Sequence, residues 1–339
     1  MNGERTGAGH AWSPASPLLD VRNLTIGFRA DAGRVDVVRD VSFTIGAHET
    51  VALVGESGCG KSVTALSLAR LIPSPPVSYP SGEIRFRGDD TLAMDRPHLR
   101  MLRGGGIGYV FQDPATALNP VYRIGFQLEE LLAGPRKQRR EQAATLLETV
   151  GLPAPRACLE AYPHELSGGM QQRVVIAMAV ARQPALLVAD EPTTALDATI
   201  QAQILALLGQ LQQTLGMAVL LITHNLGLVA EAARRVNVMY AGILVEGGDA
   251  GTVLTRPAHP YTRGLLDVVP RLEPARGRLM GIPGTVPVAG RLPPGCPFAP
   301  RCSRADAGCR ARVPDREAVA GDNGHHVRCH HPLPPGDAR

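Results

Sequence analysis

The stretch Gly55-Glu56-Ser57-Gly58-Cys59-Gly60-Lys61-Ser62 has the spacing GxxxxGK[ST] and follows the apolar run Thr50 to Val54 directly. A strand that turns through glycines into a helix aims successive backbone N–H groups, and the positive end of the helix dipole, at one point. That point suits a chain of phosphates. Lys61 is then placed to reach the β- and γ-phosphates and Ser62 to ligate Mg²⁺, with Val63 closing the binding stretch. The alternative is a glycine-rich turn entering an ordinary helix. Composition weighs against it: lysine occurs only at Lys61 and Lys137, the other 33 basic residues being Arg, and a compact ammonium is what a phosphate loop uses. A second apolar run, Leu186 to Ala189, ends in Asp190-Glu191. At a strand end beside a phosphate loop, Asp190 would hold Mg²⁺ through its water shell and Glu191 would polarise an attacking water.

Four further motifs narrow the reading. Leu166-Ser167-Gly168-Gly169-Met170-Gln171-Gln172-Arg173 precedes Asp190-Glu191 and resembles the signature motif of ABC ATPases. In the same order, Gln112 in Tyr109-Val110-Phe111-Gln112-Asp113 resembles the Q-loop, Ala195-Leu196-Asp197 the D-loop and His224 the switch histidine. The resemblance implies a P-loop NTPase of the ABC type, an α/β fold, with ATP and Mg²⁺ as ligands. It implies Glu191 as general base, His224 and Gln112 beside it, and Ser62, Gln112 and Asp190 around Mg²⁺. Phe28 resembles the aromatic that stacks on adenine, with Phe43 as a rival and a core role as the plain alternative. The signature has its own physical logic: Ser167 can N-cap a helix whose Gly168 and Gly169 leave N–H groups uncovered, a second anion site. In the family, the phosphate loop of one subunit faces the signature of another across a dimer. Ser167, Gly168, Gly169, Gln171 and Asp197 would therefore serve a partner's nucleotide.

The elements that must carry these groups are legible in outline. Short apolar strands (Leu18 to Val21, Thr50 to Val54, Leu186 to Ala189, Val219 to Thr223) alternate with helical stretches, as in a largely parallel sheet flanked by helices. Residues 1–17 read as a mobile tail, 18–255 as the ATPase domain with a helical insert at about 115–163, and 256–339 as a loop-rich extension. Of the 29 prolines, 14 fall in that extension, and periodicity fades there, so it is expected to be held by something other than a core. With 44% hydrophobic and 19% charged residues, the 339-residue chain can bury a core, and its net charge of +4 is too small to argue for a nucleic-acid partner. The basic run Arg136-Lys137-Gln138-Arg139-Arg140 lacks interleaved aromatics and reads as a solvated helix face. No apolar run approaches the roughly 20 residues of a membrane span, and Met1 to Ser16 has no apolar signal core, so a cytoplasmic chain is expected. A guanine-specific site is disfavoured because neither lysine follows an Asn.

Four of the six cysteines, Cys296, Cys302, Cys309 and Cys329, lie in the extension with five, six and nineteen residues between them. Thiolates in a proline-rich stretch point to a metal or cluster staple, with zinc, an iron–sulfur cluster and free thiols all open. His325, His326, His330 and His331 could replace a thiolate, whereas Cys59 and Cys158 read as packing residues. Arg256-Pro257-Ala258-His259-Pro260-Tyr261-Thr262 and Leu292-Pro293-Pro294-Gly295-Cys296-Pro297-Phe298-Ala299-Pro300-Arg301-Cys302 are similar to the C-terminal region of the oligopeptide/dipeptide importer ATPases. That resemblance implies a [4Fe-4S] cluster, with Zn²⁺ as alternative. It implies two transmembrane permease subunits, a second ATPase (a paralogue favoured over a second copy), an extracytoplasmic binding protein acting indirectly, and a peripheral place on the cytoplasmic face of the inner membrane. Nickel or another small solute is the alternative cargo. A soluble ABC ATPase acting on nucleic acid or ribosomes is the alternative from another class.

Overall fold

The computed structural model describes residues 13, 16–31, 33–194, 196–268, 281–319 and 321–334. The tail expected over 1–17 falls outside the described residues apart from 13, 16 and 17, and so does Ala195 of the Ala195-Leu196-Asp197 motif. Along the chain come β1 (Leu19–Ala30), β2 (Gly33–Ile45), β3 (Thr50–Val54), α1 (Lys61–Ser67), β4 (Val77–Phe86), β5 (Asp89–Asp90) and α2 (Arg96–Met101). After a π-turn at Leu102–Gly106 follow β6 (Ile107–Val110), α3 (Pro114–Ala117), α4 (Ile124–Glu129), α5 (Arg136–Thr149), α6 (Pro155–Glu160), α7 (Gly168–Val180), β7 (Leu186–Asp190) and α8 (Ala198–Leu215). Then come β8 (Ala218–Thr223), α9 (Leu226–Ala232), β9 (Arg235–Tyr240), β10 (Ile243–Asp249), α10 (Ala250–Thr255), α11 (Pro260–Asp267), α12 (Ala307–Ala311), β11 (Glu317–Val319) and β12 (Asp322–Val327).

The main sheet has the order β11-β12-β10-β9-β3-β8-β7-β6, and its run from β9 to β6 is parallel. All six residues of β8, from Ala218 to Thr223, are buried, as a strand covered by helices on both faces requires. On α8 the buried residues Ile204, Leu208 and Leu211 recur at helical spacing and form the stripe that packs inward. In register, Val54 pairs with Thr223, Asp190 with Ile222 and Val110 with Ala189. The carboxyl ends of β3, β8, β7 and β6 are therefore level, and the segments leaving them share one crevice, where parallel α/β sheets bind ligands.

Two expectations are corrected. The strand near Leu18 does not join the parallel sheet: β1 runs for 12 residues in a separate antiparallel sheet of order β2-β1-β4-β5. Register shifts between Val21 and Leu24 and between Ile26 and Gly27 break its alternation, which is why its length is hidden in the sequence. The extension also has a core. Tyr261 and Phe298 are buried with Tyr240, ring centroids 4.6 Å (Tyr240–Tyr261) and 5.2 Å (Tyr240–Phe298) apart, in an apolar cluster that includes Ala52 and Val54 of β3. Further on, β12 pairs with β10 and widens the main sheet.

Between Pro114 and Glu160 the described elements are α3 to α6, packed around Leu128, Ala143, Leu147 and Leu159. The basic run opens α5, where Arg136 and Lys137 are exposed. Arg140 Nη1 pairs with Glu129 at 3.0 Å and its Nη2 also meets Glu160, so the insert's own acids balance part of this charge. Among the described residues, no helix is long and apolar enough to cross a membrane.

Candidate functional site

The phosphate-loop sequence leaves β3 and turns into α1. Gly55 is required by space: a Cβ there would lie 2.1 Å from the Met239 carbonyl oxygen. Gly60, at the start of α1, is required by conformation, with φ at 106°. Cys59 is buried and burial pushes its thiol up, in keeping with a packing role. Lys61 is 5% exposed, and its ammonium donates to the carbonyls of Gly55 at 2.7 Å and Glu56 at 3.0 Å. The cation is thus parked on the carbonyls of its own loop, within reach of whatever anion the loop takes. Ser57, Gly58 and Ser62 are exposed, while Val63 packs against the core beneath.

Asp190 ends β7. Burial raises its carboxyl above the usual carboxylate range, although the Ser62 hydroxyl bonds it. Its Oδ1 is buried without a hydrogen-bond partner. An orphaned carboxylate oxygen beside a serine hydroxyl is a donor set that suits a small divalent cation, so Ser62 and Asp190 fit Mg²⁺. Glu191 follows with φ at 46°, a strained backbone for a residue with a side chain. Its Oε2 accepts from Gln112 Nε2 at 3.1 Å and from Thr194 Oγ1 at 2.9 Å, and its Oε1 lies 3.3 Å from His224 Nδ1. Gln112 therefore reaches Glu191 directly. The structure brings Lys61, Ser62, Gln112, Asp190, Glu191 and His224 into one crevice; Thr194 is a member of the cluster that sequence reasoning did not single out.

Ser167, Gly168, Gly169, Gln171 and Asp197 are placed elsewhere. Ser167 N-caps α7, its side chain accepting from Met170 N–H at 3.4 Å. The Gln171 amide donates to the carbonyls of Pro163 and Leu166, which shapes the loop before the helix. Asp197 N-caps α8, and Ile200 on that helix lies 3.1 Å from where a Cβ of Gly169 would be. Leu166, Val174 and Ile204 from this region share a core with the helical insert, whereas Ala65 of α1 and Val54 of β3 belong to two other clusters. Phosphate loop and Ser167 turn thus stand on different parts of the core. Phe28 lies on β1, half-buried, opposite Val35 and Val77. Phe43 is 6% exposed inside the core, which leaves Phe28 the more accessible ring. The same antiparallel sheet reaches the phosphate loop through β2: Val38 Cγ2 lies 3.2 Å from where a Cβ of Gly60 would be.

Cys296, Cys302, Cys309 and Cys329 are all free thiols lining one small cavity, with His259, His330 and His331 at its wall. Burial pushes Cys329 up to about 11 and raises Cys296 and Cys309 as well, so without a cationic partner these thiols keep their protons at neutral pH. The tight donor set among the described residues is a different one, Asp306, Cys309 and His331, whose ligand atoms lie within 4.8 Å of one another.

Residues 38–194 match the family described as ABC transporter, and residues 245–309 match the family described as oligopeptide/dipeptide transporter, C-terminal region. A protein of Brucella melitensis, named for peptide import and ATP binding, is 50% identical over 329 residues, covering 92% of this chain and 96% of its own. A similarly named protein of Brucella abortus is 48% identical over 310 residues, covering 90% of this chain and 93% of its own. Among solved structures, a dimeric ATP-binding cassette in a post-hydrolysis state bound to ADP and Pi superposes with a TM-score of 0.61 at 27% identity, over 68% of this chain and 98% of that one. The cbiO1 protein of Clostridium perfringens, described as part of an ABC transporter complex, gives 0.60 at 26% identity, over 70% of this chain and 90% of its own.

Proposed function

This chain belongs to the ABC transporter ATP-binding family, in its oligopeptide/dipeptide branch, and from that premise we propose that it is the ATP-hydrolysing subunit of a peptide importer, bound peripherally to the cytoplasmic face of the inner membrane. The observation that carries the chemistry is the convergence of Lys61, Asp190, Glu191, Gln112 and His224 at the level ends of β3, β6, β7 and β8. Lys61 leaves the loop carbonyls for the β- and γ-phosphates. Ser62 and Asp190, with Gln112 beside them, would hold Mg²⁺, which would neutralise charge on the phosphates. Glu191, fixed by Gln112, Thr194 and His224, orients the attacking water and takes its proton, and Phe28 stacks on the adenine.

The Ser167 turn and Asp197 are offered to the nucleotide of a second ATPase subunit, a paralogue favoured over a second copy. Two such subunits close on ATP and open on hydrolysis, and two transmembrane permeases carry the motion to the membrane passage. The relatives' names favour peptides over nickel as cargo, with an extracytoplasmic binding protein selecting it. The test is to tag the chain in its native host, solubilise with mild detergent and ATP, and identify what copurifies. Multi-spanning permeases and a second ATPase are expected. Ribosomes or DNA-repair proteins without membrane subunits would instead place the ATPase in nucleic-acid work.

The four cysteines are read as ligands of a [4Fe-4S] cluster. A single zinc holds four sulfurs at about 2.3 Å, hence within about 4 Å of one another. The mutually close donors here are instead Asp306, Cys309 and His331, and four thiols spread around one cavity suit a multinuclear centre better. Anaerobically purified protein should be brown, with broad absorption near 400 nm (on the order of the usual sulfide-to-iron band). A colourless preparation with stoichiometric zinc would overturn this assignment.

A further inference from the structure

The extension grips the phosphate loop at one residue, Glu56. The Tyr261 hydroxyl accepts the Glu56 N–H at 2.9 Å, and Tyr261 is itself fully buried. Arg301 Nη1 donates to both carboxylate oxygens of Glu56, at 2.9 and 3.2 Å. The Arg301 side chain is only 5% exposed, and its other donors are taken: Nε by the Pro283 carbonyl at 2.8 Å, Nη2 by the Ile282 carbonyl at 3.2 Å, with the Tyr240 hydroxyl 3.3 Å from Nη1. Glu56 is the carboxylate that the structure sets against this guanidinium, and a buried charge of this kind is held firmly only while its partner stays in place. The third group on Glu56, its carbonyl, accepts from Lys61 at 3.0 Å. When Lys61 turns to a phosphate that bond is released, and the two contacts from the extension remain to keep the loop in shape.

We propose that the extension is a working part of the nucleotide site, with Tyr261 and Arg301 as positioning residues that set the phosphate loop through Glu56. This rests on the reading of Gly55–Ser62 as a nucleotide loop. Neither residue is offered as a nucleotide contact; each acts on the backbone that aims the N–H groups, where a displacement on the order of 1 Å is costly. Glu191, Gln112 and His224 leave other strands, so the water-activating groups stay where they are when the clamp is lost.

The test uses the full chain and a fluorescent ATP analogue. Tyr261→Phe, which keeps the ring in its aromatic cluster, and Arg301→Gln should each weaken binding about 10-fold and raise KM for ATP in step, with kcat within about twofold of wild type. Glu56→Gln should weaken binding similarly by stranding Arg301. Glu56→Gln combined with Arg301→Gln should bind better than Glu56→Gln alone, because no buried charge is left unpaired. Binding within twofold of wild type in both Tyr261→Phe and Arg301→Gln would overturn the proposal. So would an equal fall in kcat and affinity that tracks a lowered Tm, since the pair would then only fasten the extension. If wild-type chain itself bound no analogue, the nucleotide reading would fail, and the clamp with it.

Discussion

Glu191→Gln should bind ATP as well as the unchanged chain, hydrolyse it at least ~100-fold more slowly, and accumulate as an ATP-bound dimer. The substitution keeps the shape of the side chain. Its one oxygen can accept from Gln112 and Thr194 in place of Oε2, and its NH2 then faces His224 Nδ1, which accepts in the tautomer that leaves that nitrogen unprotonated, so the pocket need not rearrange. What is lost is the capacity to take a proton from water, a contribution typically of 10²–10⁴-fold. Binding is spared because the loop, Lys61 and Ser62 lie on β3 and α1, on the far side of β8 from β7. Closure without hydrolysis leaves the dimer no route to open, so size-exclusion chromatography with ATP, run with the second ATPase subunit present, should show the dimer with the variant and mainly separate subunits with the unchanged chain. Steady-state hydrolysis within a few-fold of wild type would mean that another group activates the water.

The legibility of this site follows from how far each contact reaches along the chain. Gly55 to Ser62 and Asp190-Glu191 could be read because phosphate and metal chemistry demands particular residue types at fixed local spacing, directly after apolar strands. The convergence of Gln112 and Glu191, 79 residues apart, was legible only through the resemblance of their separate motifs. The clamp was not legible at all. Arg301 meets Glu56 across 245 residues, and an arginine beside a cysteine in a proline-rich stretch carries no local signal of a buried ion pair. The core of the extension was missed for a related reason: Tyr261 and Phe298 are far apart in sequence, and short-range periodicity cannot see a cluster assembled from single residues. The antiparallel sheet was missed because bulges interrupt the alternation by which a long strand is recognised.

Gly55→Ala should be the most damaging single methyl in the phosphate loop. Its φ is not in the left-handed region, so backbone conformation is not the obstacle. Space is. The new Cβ would lie 2.1 Å from the Met239 carbonyl oxygen and 2.8 Å from Cys59 Sγ. Met239 is fully buried on β9, which is paired with β3 on one side and β10 on the other, so the carbonyl cannot retreat without breaking a sheet ladder. The loop must move instead. Overpacking of this kind costs about 1–3 kcal/mol or more, and a shift on the order of 1 Å in groups that aim at phosphate costs about 100-fold in function. Gly58→Ala is the control. There φ is +79° but nothing lies within 4 Å of the added Cβ, so only the left-handed backbone penalty of roughly 1–2 kcal/mol applies. Titration with a fluorescent ATP analogue and thermal melts of both variants should rank Gly55→Ala well below Gly58→Ala in affinity and in Tm. The reverse ranking would mean that β9 yields where the sheet pairing says it is fixed.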